Sequence, residues 1–400
     1  MRIGMILDKS FPPDPRVENE ARVLLDAGHE LFLFCLDYRG VTSEESYEGI
    51  EVRRYGSSSF EYRMSALAYT IPVYSMMLKG RIRRFLNENH IEAIHVHDMV
   101  IADAVIKANA SLKLPMILDL HENRPEIMAH YPHLHKFPGK YLVSIKKWKK
   151  KEVFFVQTYD HTIVVTDQAR KELCERTGIS EEKVIVMPNT VRPEFFSEAV
   201  VDDSISRKFS DHFCLLYLGD TGIRRGLLTA IEGLELIRNR IPEAKLVIVG
   251  ANSTDAVLRD RVKQLGLEDH VSFEGWQKED LFPSYLTGAD ICISPLHKNL
   301  HHDTTLANKL FQYMGFSKPI LASDVTAQAD ILERSGSGMT HRAEDAGDFA
   351  EKCLELYENV TLRNQMGTRG KRFVEEEFNL TQVGRSLVNC YSKLNAETVK

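Results

Sequence analysis

The stretch His301–Asp324 reads HHDTTLANKLFQYMGFSKPILASD. Its spacing predicts a loop, a helix, a turn and a strand. Leu306, Leu310 and Met314 recur at i, i+4 and i+8, which is one apolar stripe of a helix. Thr304 or Thr305 stands where a hydroxyl would cap the first turn. Pro319 stops the helix, and Ile320–Ser323 reads as a short apolar strand. A hydroxyl-rich loop feeding a helix start favours anions, because unpaired N–H groups and the helix dipole point at it. An ordinary capped αβ unit has the same spacing, so the stretch by itself defines an element rather than an activity.

Strand and helix alternate on both sides of it. Arg2–Leu7 is a buried strand. Asp14 caps a helix with Pro15 at its first position, Val17, Ala21, Leu24 and Leu25 form its apolar face, and Gly28 ends it. Leu31–Leu36 is the next strand, so a βαβ unit and a parallel sheet are expected. Residues 57–90 read as helical. Ala93–Val96 ends in His97-Asp98 and Met116–Leu120 ends in His121-Glu122, which puts both histidines just past strand ends, where ligands bind in open α/β sheets. Strands at Thr162–Thr166 and Val184–Met187 follow. The polar run Ser197–Phe209 looks like a link. The alternation then restarts with Phe213–Leu218, a helix Gly226–Arg240, and strands at Lys245–Gly250, Val271–Glu274, Ile291–Pro295 and Ile320–Ser323. A last helix spans about 348–393.

Four hundred residues exceed one compact core and predict two domains. A net charge of −6 argues against a nucleic-acid binder. Residues 51–150 run the other way, with 16 Lys and Arg against 9 Asp and Glu, and suggest an anionic partner such as phosphate or a membrane surface. Within them Lys136–Lys151, KFPGKYLVSIKKWKKK, sets lysines beside Tyr141, Leu142, Ile145 and Trp148. A solvated helix is the plainer alternative. The six cysteines show no CxxC spacing and read as buried free thiols of a reducing compartment. The chain opens directly on a strand and holds no apolar run near the ~20 residues that span a bilayer. A cytoplasmic protein is expected, peripheral at most on the inner face of a membrane.

Chemistry is expected in two places. Gly219–Gly226, GDTGIRRG, joins a strand to a helix. Its glycines admit a ligand close to the backbone, and Arg224 and Arg225 can grip a diphosphate. Cations at a helix start are unfavourable unless an anion sits there. With Thr304–Lys309 this loop defines a predicted diphosphate site. In the first half, Arg16, His97 and His121 lie at the ligand edge. His95, His97, His133, His135, His301 and His302 form short His-rich spots. They lie in separate segments without HExxH, so no metal centre is expected.

KLFQYMGFSKPILASD resembles the donor-site motif of family 4 glycosyltransferases, E-x7-E followed by A-M-A-x-G-x-P-V. Pro319 and Met314 match; the two glutamates fall on Thr304 and Gln312. Asn308–Met314 is similar to the NKLFEYM of some members. GDTGIRRG resembles the family's G-R-x-x-x-x-K-G, with Arg225 on the lysine and Asp220 on the arginine. Gly250-Ala251-Asn252 resembles V-G-x-G, and Gly275-Trp276 stands where members hold the nucleobase edge. There Trp276 would stack on a base or cover the sheet end. LLDAGHELFLF, ILDLHENRPE and VIVMPNTVRPEFF resemble the first-domain signatures.

The resemblance implies a GT-B fold, two Rossmann-like domains facing across a cleft. Residues 1–196 would bind the acceptor and 197–385 the nucleotide-sugar, with 386–400 a helix crossing back to the first domain. It implies a retaining hexosyltransferase of polysaccharide biosynthesis that moves a sugar from a UDP- or GDP-sugar to a glycan or lipid-linked acceptor, without a metal or other cofactor. His121 and Arg225 would be catalytic. Gly219, Arg224, Arg225, Gly250, Trp276, Thr304, Thr305, Leu306, Lys309 and Gln312 would hold the donor. Arg16, His97 and Asn189 would face the acceptor or line the cleft. The missing glutamates keep a non-catalytic nucleotide-sugar-binding subunit open, and a nucleotide-sugar epimerase shares the architecture. The absence of G-x-G-x-x-G disfavours a dinucleotide oxidoreductase.

Overall fold

A computed structural model describes residues 1–128, 134, 137 and 139–398. The chain divides into two compact units, Met1–Pro188 with Val383–Lys400, and Asn189–Gln382. The division falls eight residues before the expected 196/197 boundary, and the return falls at 382/383 rather than 385/386. Ser197–Phe209 is therefore no linker: it carries a helical turn, Asp203–Arg207, and Phe209 is buried in the second unit.

The first unit is built on eight strands, β1 (Arg2–Ile6), β2 (Glu30–Asp37), β3 (Ser43–Tyr47), β4 (Ile50–Gly56), β5 (Ala93–His97), β6 (Met116–Asp119), β7 (His161–Val164) and β8 (Val184–Val186), in the order β3-β4-β2-β1-β5-β6-β7-β8. β1 sits centrally, pairing in parallel with β2 (Ile3 beside Leu31) and with β5 (Ile3 beside Ala93). Such strands are covered on both faces, which is why they read as continuous apolar runs. The sheet is not wholly parallel: β3 runs antiparallel to β4 and closes one edge as a hairpin. The helix Pro15–Asp26 starts as expected, with the Asp14 carboxylate accepting from the Arg16 and Val17 N–H groups. Val17, Ala21 and Leu24 are fully buried, and so is Glu20.

The second unit holds β9 (Phe213–Leu218), β10 (Ala244–Val249), β11 (Val271–Gly275), β12 (Ile291–Ser294), β13 (Ile320–Ser323) and β14 (Gly338–His341), all parallel, in the order β11-β10-β9-β12-β13-β14. The helix in the opening stretch is Asn308–Gly315, shorter than its spacing predicts. Leu306 lies before it, while Leu310 and Met314 are fully buried. Neither threonine caps it. Thr304 Oγ1 donates to the Leu300 carbonyl at 2.8 Å and Thr305 Oγ1 to that of His301 at 2.8 Å, closing the short preceding helix Leu300–Asp303. Hydroxyls near a helix end have carbonyls within reach, and these bind backwards. The last predicted helix is also broken, into Ala346–Glu358, Val360–Arg372, a π-turn Phe373–Glu377, Leu380–Val383 and Arg385–Thr398. Asn359 begins the second piece, its side chain accepting from the Leu362 N–H.

Candidate functional site

A doubly wound sheet opens its ligand crevice where the strand order reverses, beyond the carboxyl ends of the strands. In the second unit the reversal lies between β9 and β12. The loop after β9 is Gly219–Gly226, and the loop after β12 leads to the helix that carries Lys309. Gly226 has φ +75°, and a Cβ there would lie 1.6 Å from the Pro295 carbonyl oxygen, so only glycine lets the two loops meet. Gly250 after β10 approaches Gly219 in the same way, a Cβ falling 1.8 Å from the Gly219 carbonyl oxygen.

Lys309 Nζ is closed off from solvent and has no hydrogen-bond partner among the described residues. It stands 3.6 Å from the centroid of the Tyr217 ring, and a Cβ on Gly219 would come within 3.4 Å of it. Burial, then the neighbouring Arg225, holds its pKa well below the lysine range. Asp220 acts the other way but does not outweigh them, and a charged Lys309 would have no hydrogen-bonded partner, so the pocket favours an incoming anion. Arg225 Nε donates to Asp220 Oδ2 at 3.1 Å, and Asn252 Nδ2 donates to Asp220 Oδ1 at 2.6 Å. Burial opposes the Asp220 charge, but Asn252 and Arg225 outweigh it and the pKa is lowered. Asp220 thus sets the direction of Arg225. Arg224 Nη1 donates to His302 Nε2 at 3.3 Å, while His302 Nδ1 lies 2.7 Å from the His297 carbonyl and donates to it. Burial lowers the His302 pKa to about 4, so this ring serves Arg224 as an acceptor.

Two further side chains meet beside this crevice. Gln312 Nε2 donates to Glu279 Oε1 at 2.7 Å. Glu279 lies in the turn after β11, three residues beyond Trp276, which is 71% exposed and so does not cover the sheet end.

In the first unit the reversal lies between β1 and β5, and the adjoining end of β6 carries Asp119. This carboxylate is fully buried and takes four donors. Arg16 reaches it with Nε at 2.8 Å and Nη2 at 2.5 Å, His121 Nε2 lies at 2.8 Å, and His97 Nδ1 at 3.3 Å. Burial disfavours its charge, yet Arg16 and His121 hold its pKa well below the usual range. Burial likewise works against a charged His121 ring, but Asp119 more than compensates and the pKa is raised. For His97 burial wins and the pKa falls.

Several expectations change here. Arg16, expected at the acceptor or cleft, has its guanidinium engaged within the first unit by Asp119, by Glu20 at 2.8 Å and by the Met187 carbonyl at 3.1 Å. His97, expected at the acceptor or cleft, is completely buried, its Nδ1 3.3 Å from His121 Nε2. Asn189 is the first residue of the second unit. Thr304, Thr305 and Leu306 lie in the segment ahead of the helix, with both hydroxyls turned back on carbonyls. Gly219, Arg224, Arg225, Gly250 and Lys309 do converge, and Gln312 and Trp276 stand on either side of Glu279. Glu279 escaped sequence reasoning, while Asp220, Asn252 and His302 were noted there as parts of motifs or His-rich spots without the partners that the structure gives them.

Two Rossmann-like units, each with its polar cluster at a topological reversal, make up a GT-B fold. The family model described as Glycosyltransferase Family 4 matches residues 16–195, and that described as Glycosyl transferases group 1 matches residues 212–359. The chain belongs to glycosyltransferase family 4. It is 22% identical to a phosphatidyl-myo-inositol mannosyltransferase of Mycobacterium leprae over 396 residues, 98% of this chain and 96% of that one. It is 20% identical to alpha-D-kanosaminyltransferase of Streptomyces kanamyceticus over 291 residues, 71% and 72% of the two chains. Among solved structures it resembles sucrose-phosphate synthase of Thermosynechococcus elongatus (TM-score 0.77, 14% identity, 99% of both chains). It also resembles HepE of Anabaena in complex with UDP (TM-score 0.72, 13% identity, 98% and 100%).

Proposed function

We propose that this glycosyltransferase takes a hexosyl group from a nucleoside diphosphate sugar and passes it, with retention, to a hydroxyl of a glycan or lipid-linked acceptor. The observation that carries the reading is Lys309, a shielded amino group with no hydrogen-bond partner among the described residues, beside Tyr217 and Arg225. The C1–O bond to the diphosphate breaks and a C1–O bond to the acceptor forms on the same face. The acceptor proton passes to a diphosphate oxygen. Charge developing on the leaving group is met by Lys309, Arg225 and Arg224, preorganised groups of the kind that dominate such catalysis. No divalent metal is required of this arrangement. In the first unit His121, its pKa raised beside Asp119, is the side chain the resemblance assigns to the transferred sugar. Glu279, steered by the Gln312 amide, offers the carboxylate that the resemblance expects at 312 and accepts from the ribose hydroxyls. HepE is described in complex with UDP-glucose, and a Mycobacterium tuberculosis relative, 24% identical over 157 residues, is named GDP-mannose-dependent; both support this donor class.

Purified protein incubated with a panel of UDP- and GDP-sugars and of glycan and lipid-linked acceptors tests the proposal. Transfer with the donor's anomeric configuration is expected. Donor binding with neither transfer nor hydrolysis would establish a binding subunit instead, and sugar interconversion on the nucleotide would establish an epimerase.

The acceptor reading gains support from one surface of the first unit. Lys146, Lys147 and Lys150 are exposed on the helix Ile145–Thr158, beside Tyr141 (76% exposed) and Leu142. Thr70 Oγ1 donates to the Leu142 carbonyl at 2.7 Å, which brings the exposed Ile71, Val73 and Met76 to the same place. Apolar side chains among lysines suit an anionic bilayer surface, each lysine contributing about 1 kcal/mol. The face is narrower than the sequence implies. Trp148 is buried against Tyr69, Lys149 pairs with Glu126, and Lys151 pairs with Asp103. Lys136 lies outside the described residues, as does the side chain of Lys140. Among the described residues, no helix is long and apolar enough to cross a membrane. Co-sedimentation with liposomes is expected to rise with anionic lipid and fall with salt; binding indifferent to both would remove the membrane from the proposal.

A further inference from the structure

One carboxylate of the first unit has nothing to answer it. Asp8 stands two residues past the end of β1, at the reversal between β1 and β5 where ligands reach an open sheet. It is 6% exposed, and its Oδ1 is closed off from solvent with no hydrogen-bond partner among the described residues. Other acids at these strand ends each have a cation. Asp37 pairs with Arg39, Asp98 with Arg124 and Asp119 with Arg16. Glu122, beyond β6, is partly exposed and can turn to water.

The backbone holds the Asp8 carboxylate in place. Leu7 N–H donates to the Phe34 carbonyl at 2.9 Å and Leu36 N–H to the Lys9 carbonyl at 3.1 Å, so the pairing with β2 continues on both sides of it. The Tyr38 hydroxyl donates to the Asp8 carbonyl at 2.6 Å. On the neighbouring strand end Asp98 has φ +67° and ψ 156°, a region ordinarily reserved for glycine. Its Oδ1 accepts from the Met99 N–H at 2.6 Å and its Oδ2 from Arg124 Nη1 at 2.5 Å, which commits Arg124 to Asp98. Backbone strain of this kind is kept where a site needs it. Burial, then Asp98, raises the Asp8 pKa to about 6, with Arg124, Lys9 and His121 acting the other way. At neutral pH the group is therefore still mostly charged. Cations already act on it through space; what Oδ1 lacks is a hydrogen-bond donor, and a buried charge without one is costly. Neutral O–H groups meet that need, and two adjacent hydroxyls of a sugar can donate to the two oxygens of one carboxylate.

We propose that Asp8 is a specificity-determining residue of the acceptor site, its carboxylate accepting hydrogen bonds from hydroxyl groups of the acceptor sugar. The role in transfer rests on the glycosyl-transfer reading above; recognition of sugar hydroxyls at Asp8 is measurable without turnover. Asp8→Asn keeps the shape of the side chain but replaces one acceptor oxygen by a donor.

The probes are the methyl glycosides of glucose, galactose, mannose and N-acetylglucosamine, added to full-length protein in the presence of UDP and followed by saturation-transfer NMR. The natural chain is expected to bind at least one of them, and Asp8→Asn to bind it at least about tenfold more weakly, the cost of a hydrogen bond to a charged group. UDP affinity should be unchanged. The melting temperature at neutral pH is expected to hold or rise, because the substitution removes a buried charge; a carboxylate kept for structure would give a fall. Where transfer is measurable, acceptor KM should rise by the same factor with donor KM unchanged. Asp8→Glu keeps the charge and moves it by one methylene, so it serves if Asp8→Asn does not fold, and its order of preference among the glycosides is expected to change. Glycosides bound by neither the natural chain nor the variants, or bound equally by all, would overturn the proposal and leave water as the partner of Asp8. Loss of glycoside binding in Asp8→Asn of a protein without transfer activity would uphold the recognition of hydroxyls while refuting the function.

Discussion

Lys309 pays in stability for what it offers a ligand. Its pKa is depressed in the folded protein, so between that value and the unfolded value near 10.4 the unfolded chain binds more protons and stability rises with pH. Lys309→Met removes the penalty. It is expected to raise the melting temperature at neutral pH by about 2 °C or more while weakening nucleoside diphosphate binding at least about tenfold. Calorimetry of both variants checks this, and a lower melting temperature with unchanged affinity would contradict it. Anion binding raises the lysine pKa, so the complex takes up a proton and affinity falls as pH climbs through the window from the free to the bound value. Arg225→Ala should cost about 1.5–3 kcal/mol of binding, the range for a charged hydrogen bond. At Gln312 the sequence and the structure lead to opposite expectations. By resemblance alone a glutamate at 312 restores a motif and should preserve or tighten donor binding. In the structure it would set two carboxylates 2.7 Å apart against Glu279. Gln312→Glu is therefore expected to weaken donor binding at neutral pH and to recover as pH falls and the pair shares a proton. The arginines were legible because charge beside glycine at a helix start has few other uses. Glu279 was not, because nothing in a sequence pairs two residues 33 positions apart.

At the scale of elements, what was legible was the repeat of strand and helix, since continuous apolar runs and the Asp14-Pro15 helix start each leave local marks. What was missed depended on partners supplied by the tertiary fold. The threonines before Asn308 have capping chemistry, and a preceding turn used it first. The helix Pro15–Asp26 has an ordinary apolar face, yet Arg16 and Glu20 are buried on another, which no period reveals. Gly226 shows the same dependence. Its positive φ can be suspected from the sequence, but the Pro295 carbonyl that forbids a side chain comes from 69 residues away. Gly226→Ala is expected to destabilise the second unit by about 1–3 kcal/mol and to displace Arg224 and Arg225, abolishing donor binding. Denaturant unfolding with parallel calorimetry checks both effects. Native stability and affinity in the variant would mean that the two loops move apart at little cost.

At the scale of the molecule, the question is what neutralises negative charge. In the second unit it is Lys309 with Arg225 and Arg224. In the first, the ligand atoms of Glu20, His95, His97 and Asp119 lie within 4.8 Å of one another, a set that could hold a metal ion. The position a cation would take is filled by the Arg16 guanidinium, which touches both carboxylates and is further fixed by the Met187 carbonyl. Burial would make its loss expensive: Arg16→Ala leaves two carboxylates facing each other and is expected to cost about 3–5 kcal/mol of stability. The protein therefore carries its own cations in both units, and activity is expected to survive EDTA without loss. Turnover that disappears on chelation and returns with magnesium or manganese would contradict this. A control separates the two roles a metal could play. If the added ion restores activity while leaving the melting temperature of the EDTA-treated protein unchanged, it acts on the donor diphosphate. If it raises the melting temperature as well, it displaces Arg16 from the first-unit cluster.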